Sequence, residues 1–139
     1  MTTTGSDVIR EQRNCELVRK VYEAFLAGDD SVFKGAVRED FEAHIAPAVP
    51  WGGDHRGPDA FLANVVPKLA AALDFVSMCV TSISADGDDV IALVTGRSVG
   101  GDELWLAEDW TLCDGKIRRL RVFYYDARPF ESSPTAAVS

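Results

Sequence analysis

The stretch 103–125, ELWLAEDWTLCDGKIRRLRVFYY, decides the fold. It contains two runs rich in β-branched and aromatic residues, separated by Asp114-Gly115, a dipeptide typical of tight hairpin turns. The pattern predicts two antiparallel strands, at 103–113 and 116–125, as the end of a longer antiparallel meander. The meander is completed by strands predicted at 75–85 and 90–99, with turns at 86–89 and 100–101.

The first half of the chain contains sequence patterns typical of helices. Apolar residues recur at helical spacing from Val18 to Leu26, and Gly28 ends this amphipathic helix. The order of elements predicts an α+β fold, in which three N-terminal helices pack on the concave face of a cone-shaped, barrel-like, curved antiparallel sheet and leave a hollow. The remaining elements are a helix at 31–37, a strand at 40–47, a loop at 47–57, and a third helix from Pro58 toward Leu73 that Pro67 should kink or interrupt.

Length and composition limit the classes of function. The 139 residues suit a single domain over 1–130 and a flexible C-terminal tail over 131–139. A net charge of -8 disfavours nucleic acid as a partner, and no apolar run approaches the roughly 20 residues that span a bilayer. The start of the chain shows no secretory signal, and its three cysteines form no CxxC pair. We therefore expect a soluble, cytoplasmic protein with reduced cysteines.

Four stretches carry a resemblance to a known family: VRKVYEAFLAGD (18–29), PWGGDHRGPDAF (50–61), DGKIRRL (114–120) and FYYD (123–126). In order and spacing the chain resembles the SnoaL-like branch of the nuclear transport factor 2-like superfamily, which includes ketosteroid isomerases, limonene epoxide hydrolases and polyketide cyclases. The resemblance implies a cone with a ligand inside, and a homodimer that pairs through the outer sheet face. It covers nearly the whole domain but does not select one reaction, because this superfamily hosts many chemistries.

The chain departs from two of these enzyme patterns. The tyrosine that isomerases place in the first helix falls at Val21, and Tyr22 lies about 100° further around the helix, so it is not simply equivalent. The isomerase base falls near Ile45. The epoxide hydrolase aspartate falls at Val122, and Arg97 lacks the Arg-x-Asp partner, although we keep Arg97 as a substrate-binding candidate. The missing residues at Ile45 and Val122 favour a binding protein of the same fold. Among enzyme activities, an isomerase-like or cyclase-like one is predicted before a lyase or an epoxide hydrolase.

Glu108 is the strongest catalytic candidate. In a strand, Leu106, Glu108 and Trp110 share one face, which is otherwise apolar. A carboxyl turned toward the core favours its protonated form, and could act as a general acid or base near neutral pH. The place of Glu108 is also similar to that of the isomerase carboxylic acid that hydrogen-bonds the enolate oxygen. The alternative is that Glu108 is paired with an inward arginine, or reaches water at a strand edge.

The final hairpin determines which residues face Glu108. A two-residue Asp114-Gly115 turn would place Arg119 and Arg121 there, whereas a three-residue loop with Gly115 in the left-handed conformation would place Leu120, Val122 and Tyr124 there. The second arrangement is favoured because it joins apolar residues to apolar residues. Tyr124 would then face the pocket, either to bind a substrate oxygen or as a packed core tyrosine.

The remaining site candidates are weaker. His44 lies opposite the apolar face of its strand by strict alternation, and is kept as a second acid or base. Leu106, Trp110, Val122, Trp51 and His55 are predicted to line or cover the pocket. We expect no metal and no cofactor, because no ligand spacing or nucleotide motif occurs. The sequence thus predicts an acid/base enzyme for a hydrophobic oxygenated small molecule, with a non-catalytic binding protein or a dimeric interaction subunit as alternatives.

Overall fold

The computed structural model describes residues 5–131, which fold into helices and a β-sheet in an α+β arrangement. The predicted flexible tail lies outside these residues, apart from residue 131. The helices are α1 (Gly5–Leu26), α2 (Ser31–Ala36), α3 (Pro58–Asn64) and α4 (Val66–Ala72), and a 3-10 turn covers Arg128–Phe130. The strands are β1 (Val37–Ile45), β2 (Gly53–Arg56), β3 (Leu73–Asp86), β4 (Asp89–Ser98), β5 (Glu103–Cys113) and β6 (Lys116–Tyr124).

All six strands belong to one curved, open sheet in the order β2-β1-β6-β5-β4-β3. The predicted antiparallel meander over the last four strands is confirmed, and β1 joins it as a parallel partner of β6. The predicted loop at 47–57 is wrong for Gly53–Arg56, which pairs with β1 as a short edge strand. A strand of four residues surrounded by glycine and proline is too short to produce a clear alternation in the sequence.

The third helix is interrupted, as Pro67 predicts. The helix is interrupted at Val65, between α3 and α4. Pro67 occupies the first turn of α4, where its missing N–H needs no partner. The break lets two short helices follow the curve of the sheet. Helix α1 packs against β3 and β4, α3 packs against β1, and α4 packs against β3.

The hairpin between β5 and β6 combines features of both predicted arrangements. Asp114 and Gly115 form a two-residue turn, both with positive φ (52° and 76°), so the predicted three-residue loop is wrong. However, Thr111 pairs with Arg119 and Leu112 pairs with Ile117, which leaves Arg118 as an extra residue in β6. This bulge shifts the register by one residue. It therefore places Leu120, Val122 and Tyr124 opposite Trp110, Glu108 and Leu106, the face that apolar matching favours.

Aromatic rings fill the core between the helices and β1. The rings of Phe33 and Phe41 lie 5.4 Å apart at 83°, and the ring of Phe61 lies 5.5 Å from that of Phe41 at 77°. Phe25 of α1 joins this group through Phe33, at 5.4 Å. Such tilted and edge-to-face pairs are the arrangement that aromatic rings prefer. The cluster therefore fixes α1, α2 and α3 onto one end of the sheet.

Candidate functional site

An apolar cavity lies between the helices and the concave face of the sheet. Counted as space for water centres, its volume is about 100 Å³. Because one water needs ~10–15 Å³ of such space, the cavity has room for about seven to ten waters. This room is comparable to the volume of a bicyclic organic molecule. The half-buried aliphatic, phenylalanine and methionine side chains in the wall come from the end of α1, from α4 and from β3: Phe25, Leu26, Val66, Leu69, Phe75, Met78 and Val80.

Glu108 lies in this wall. It projects inward from β5, opposite Ala92 of β4 and Val122 of β6. Its carboxyl accepts a hydrogen bond at Oε1 from the Tyr22 hydroxyl, at 2.5 Å. Among residues 5–131, no cation and no other donor contacts the carboxyl, so the alternative of an inward arginine partner does not hold.

The surroundings of Glu108 favour its neutral form. Protein atoms enclose the carboxyl, and the accessible surface that Glu108 keeps faces the cavity. Burial raises the pKa of Glu108 because an apolar environment destabilises the charge, and the hydrogen bond from Tyr22 lowers it by a smaller amount. The net effect is a raised pKa. Glu108 is therefore a carboxylic acid that can give or take a proton closer to neutral pH than an ordinary glutamate can.

Tyr22 connects Glu108 to a second aromatic residue. Its hydroxyl accepts a hydrogen bond from Nε1 of Trp110, at 2.8 Å, while its own proton goes to Glu108. The rings of Tyr22 and Trp110 meet edge to face, 5.6 Å apart. Burial and the neighbouring Glu108 raise the pKa of Tyr22 well above its ordinary value, so it stays a neutral donor. The result is a chain of donors from Trp110 through Tyr22 to the carboxyl.

Sequence reasoning did not assign Tyr22 to the site, because the tyrosine position of the isomerases falls at Val21. Both residues face inward, since Val21 is fully buried in the core and Tyr22 lines the cavity. A signal was available in the helical spacing. Tyr22 shares one stripe of α1 with Phe25 and Leu26, at i+3 and i+4, and all three line the cavity.

A second group of aromatic residues lies around Tyr124. Nε1 of Trp51, in the loop before β2, donates to the Tyr124 hydroxyl at 2.8 Å. Phe130 of the 3-10 turn packs against Trp51 at a ring distance of 5.0 Å and against Tyr124 at 6.0 Å. Trp51 is only 2% exposed, so it forms part of the wall. Burial raises the pKa of Tyr124, which therefore also stays protonated.

The structure brings together six of the nine residues that the sequence analysis singled out. They line one cavity: Trp51, Leu106, Glu108, Trp110, Val122 and Tyr124. The polar groups of this cavity form two hydrogen-bonded pairs. One joins Tyr22 to Glu108, and the other joins Trp51 to the Tyr124 hydroxyl. His44, His55 and Arg97 are not part of the cavity wall.

His44 lies on the outer face of the sheet. Its Nδ1 is 2.8 Å from Oδ1 of Asp54, and its Nε2 is 3.4 Å from Oε2 of Glu42. Strand alternation explains this position, because Ala43 and Ile45 point into the core. This is the face that alternation in the sequence predicted, and it corrects the choice of His44 as a second acid or base for the cavity.

His55 and Arg97 also have other contacts. Nε2 of His55 lies 2.9 Å from the carbonyl oxygen of Trp51 and so helps to hold the loop that carries this tryptophan. Arg97 is exposed near the end of β4, where it donates to the carbonyl oxygen of Gly101 at 3.2 Å. Neither side chain contacts the ligand space, which corrects their assignment as substrate-binding residues.

Metal-ligand groups and membrane-spanning helices are both absent from the described residues. Between residues 5 and 131, the His, Cys, Asp and Glu side chains form no group of three that could hold a metal ion. No helix in the same range is long and apolar enough to cross a membrane. The polar side chains that line the cavity include one carboxyl and two tyrosine hydroxyls.

Solved structures share this fold. An NTF2-like protein from Burkholderia xenovorans LB400 is 24% identical, with a TM-score of 0.72 over 87% of this chain and 98% of that one. A protein of Jannaschia sp. CCS1, proposed to be a SnoaL-like polyketide cyclase, is 18% identical, with a TM-score of 0.70 over 96% and 99%. TerC, co-crystallised with polyporic acid, is 20% identical, with a TM-score of 0.70 over 85% and 95%.

Sequence comparison gives the family. No curated protein matches the chain. The model of the SnoaL-like domain family matches residues 18–120, about three quarters of the chain, from within α1 to the middle of β6. This chain therefore belongs to the SnoaL-like domain family.

Proposed function

We propose that this protein is an acid/base enzyme that works without a cofactor on a hydrophobic, oxygenated small molecule of polyketide-like or terpenoid-like type. The reaction is an isomerisation, a cyclisation or a ring opening. One observation carries the proposal: Glu108, a buried carboxyl that no cation among residues 5–131 contacts, lies in the wall of an apolar cavity and is oriented by Tyr22. An unpaired carboxyl placed in this way is a cost to folding that a proton-transfer role explains.

The expected role of Glu108 follows from its surroundings. The acid donates its proton to a carbonyl or ether oxygen of the ligand, and the Glu108 carboxylate that remains takes the proton that leaves a neighbouring carbon, so Glu108 acts first as acid and then as base. The apolar walls keep water from competing. Tyr22 holds the carboxyl in position through Oε1 and leaves Oε2 for the ligand. Two structural neighbours support this class of ligand, the proposed polyketide cyclase of Jannaschia and TerC with polyporic acid.

The proposal can be tested without knowledge of the natural substrate. 1-Decalone is an apolar bicyclic ketone, and its α-protons exchange with D₂O through the enol. Mass spectrometry of the recovered ketone should show faster deuterium uptake with the wild-type protein than with Glu108→Gln. Equal uptake with the two proteins would remove Glu108 from the mechanism.

A binding protein of the same fold is the second candidate. The observation that favours it is the position of His44 on the outer face, because the described cavity wall then has no histidine to act as a second acid or base. A binding protein would take up 1-decalone, as measured by calorimetry, without changing its deuterium uptake. The two measurements together separate the candidates.

We further propose a homodimer that forms through the outer sheet face. Large apolar side chains are exposed there, among them Trp105 (52%), Phe123 (54%) and Leu93 (46%). Leu93, Ala107 and Phe123 lie side by side across β4, β5 and β6, so the patch is continuous. A second copy of the same patch would cover it in a twofold arrangement.

The dimer can be tested by sedimentation velocity. We expect a dimer for the wild type and a monomer for Trp105→Glu, because a charge in the centre of an apolar interface is left without a partner. Val76→Glu is the matched control, since Val76 is 97% exposed on β3 and should leave the dimer intact. A monomeric wild type would contradict the proposal.

The cytoplasm is the proposed location. Cys15, Cys79 and Cys113 are all free, and their thiols are compatible with a reducing compartment. Mass spectrometry of the protein from its native cells, with and without thiol alkylation, would detect any oxidised form.

A further inference from the structure

The hydrogen bonds of Glu108 leave one oxygen unused. Oε1 accepts from Tyr22, and no described residue donates a hydrogen bond to Oε2. Because the Tyr22 proton is committed to Oε1, the proton of the neutral acid belongs on Oε2. The carboxyl therefore presents one free donor to the cavity.

Tyr124 presents a second free donor. Its hydroxyl oxygen accepts the hydrogen bond from Trp51, and no described residue accepts the proton of that hydroxyl. A phenol that already accepts one hydrogen bond is a better donor, since hydrogen bonds in a chain polarise one another. Tyr124 is thus prepared to donate to a group inside the cavity.

The two donors are separated by an apolar step. On the inner sheet face, Glu108 pairs with Val122 and Tyr124 pairs with Leu106, so Glu108 and Tyr124 are diagonal neighbours. Diagonal neighbours lie about 7–8 Å apart, with their Cβ atoms somewhat closer. The side chains between them, Leu106 and Val122, are apolar and also line the cavity. A ligand that reaches both donors needs an apolar body with an oxygen at each of two positions.

The charge and the hydrogen-bond donors of the cavity wall also disfavour anionic ligands. Apart from Glu108, the ionisable residues of the described wall are Tyr22 and Tyr124, which stay neutral, and no lysine or arginine reaches it. An anionic ligand would lie there without a counter-charge. Both free hydrogen-bonding groups are donors while Glu108 is protonated, so each fits an acceptor oxygen of the ligand. A neutral molecule with acceptor oxygens fits best.

We propose that the cavity selects a neutral ligand with two acceptor oxygens, such as a diketone on a ring system, and that one oxygen binds at Glu108 while the other binds at the Tyr124 hydroxyl. This inference deepens the proposed function and rests on it for the catalytic role of Glu108. Tyr124 is then the residue that determines specificity. Its contribution to binding is separate from the proton transfer.

The test uses 1-decalone, decalin-1,4-dione and decalin-1,5-dione as ligands in calorimetric titrations at a pH below the titration midpoint of Glu108. At least one dione should bind the wild type roughly fivefold to tenfold more tightly than 1-decalone, the value of one added neutral hydrogen bond. Tyr124→Phe should abolish this preference and leave the affinity for 1-decalone nearly unchanged. Tyr125→Phe is the matched control, because Tyr125 is 80% exposed and does not line the cavity.

Three results would overturn the inference: no binding of any of the three ketones, equal binding of 1-decalone and both diones, or a dione preference that survives in Tyr124→Phe. The proposed function has a different readout, since deuterium uptake depends on Glu108→Gln and not on the dione preference. If the protein prefers diones but does not catalyse exchange, the inference about binding holds and the proposed enzyme activity is wrong. If the protein catalyses exchange but shows no dione preference, the proposed enzyme activity holds and the inference about binding is wrong.

Discussion

Replacing Glu108 with glutamine is expected to slow the protein-dependent deuterium exchange of 1-decalone by at least ~10²-fold, the lower end of what a positioned acid or base contributes. Glutamine keeps the size of the side chain and can still accept the hydrogen bond from Tyr22, but it has no proton to transfer. The exchange rate is measured by mass spectrometry after subtraction of the buffer reaction.

The control for this substitution is Glu103→Gln, in the same strand. Glu103 is exposed and accepts a hydrogen bond from Trp105 on the outer face, so its loss should leave the exchange rate unchanged. A rate that falls equally in both variants would indicate a general effect on the protein rather than a role for Glu108.

The pH dependence of the exchange gives the role of Glu108. Burial raises the pKa of Glu108, so the protonated acid persists to a higher pH than in an exposed glutamate. If Glu108 acts as the acid, the protein-dependent rate is highest below this raised pKa and falls as the pH rises through it. The titratable groups that face Glu108 are Tyr22 from α1 and Tyr124 from β6, and both stay protonated across the range because their own pKa values are raised.

The substitution Phe41→Ala is expected to lower the free energy of unfolding by about 3–5 kcal/mol, the usual cost of removing a buried phenylalanine. Phe41 is fully buried, and its ring meets those of Phe33 and Phe61 edge to face. The cavity left behind lies under α2 and α3, which the rest of the core cannot easily fill.

Urea unfolding followed by circular dichroism measures this loss, with Val76→Ala as the control. Val76 is 97% exposed, so its truncation should change the free energy of unfolding by less than about 0.5 kcal/mol. A Phe41→Ala protein as stable as the wild type would mean that the aromatic cluster does not hold the helices to the sheet.

The meander was predictable because its signals are local. Asp114-Gly115 supplies the two positive-φ residues of a tight turn, and the bounds of β5 match the predicted 103–113. The inward position of Glu108 followed from alternation with Leu106 and Trp110, which the structure places in the same wall. The family resemblance is likewise confirmed by the match over residues 18–120.

Other features depend on contacts between distant parts of the chain. The bulge at Arg118 has no signature of its own, because only the requirement that Val122 and Tyr124 face inward fixes it. The short strand β2 exists through its pairing with β1. Tyr22 and Glu108 are far apart in sequence, and their contact depends on the way α1 lies across the sheet.

The carboxyl of Glu108 is the basis of the functional proposal, and its titration tests that basis directly. In protein labelled with ¹³C at glutamate side chains, the resonance that is missing from Glu108→Gln belongs to Glu108, and its chemical shift can be followed against pH. The account predicts a midpoint above the ordinary glutamate value of about 4.3. A midpoint at or below that value would show a carboxylate that is ionised and solvated at neutral pH, and would contradict the proposed acid.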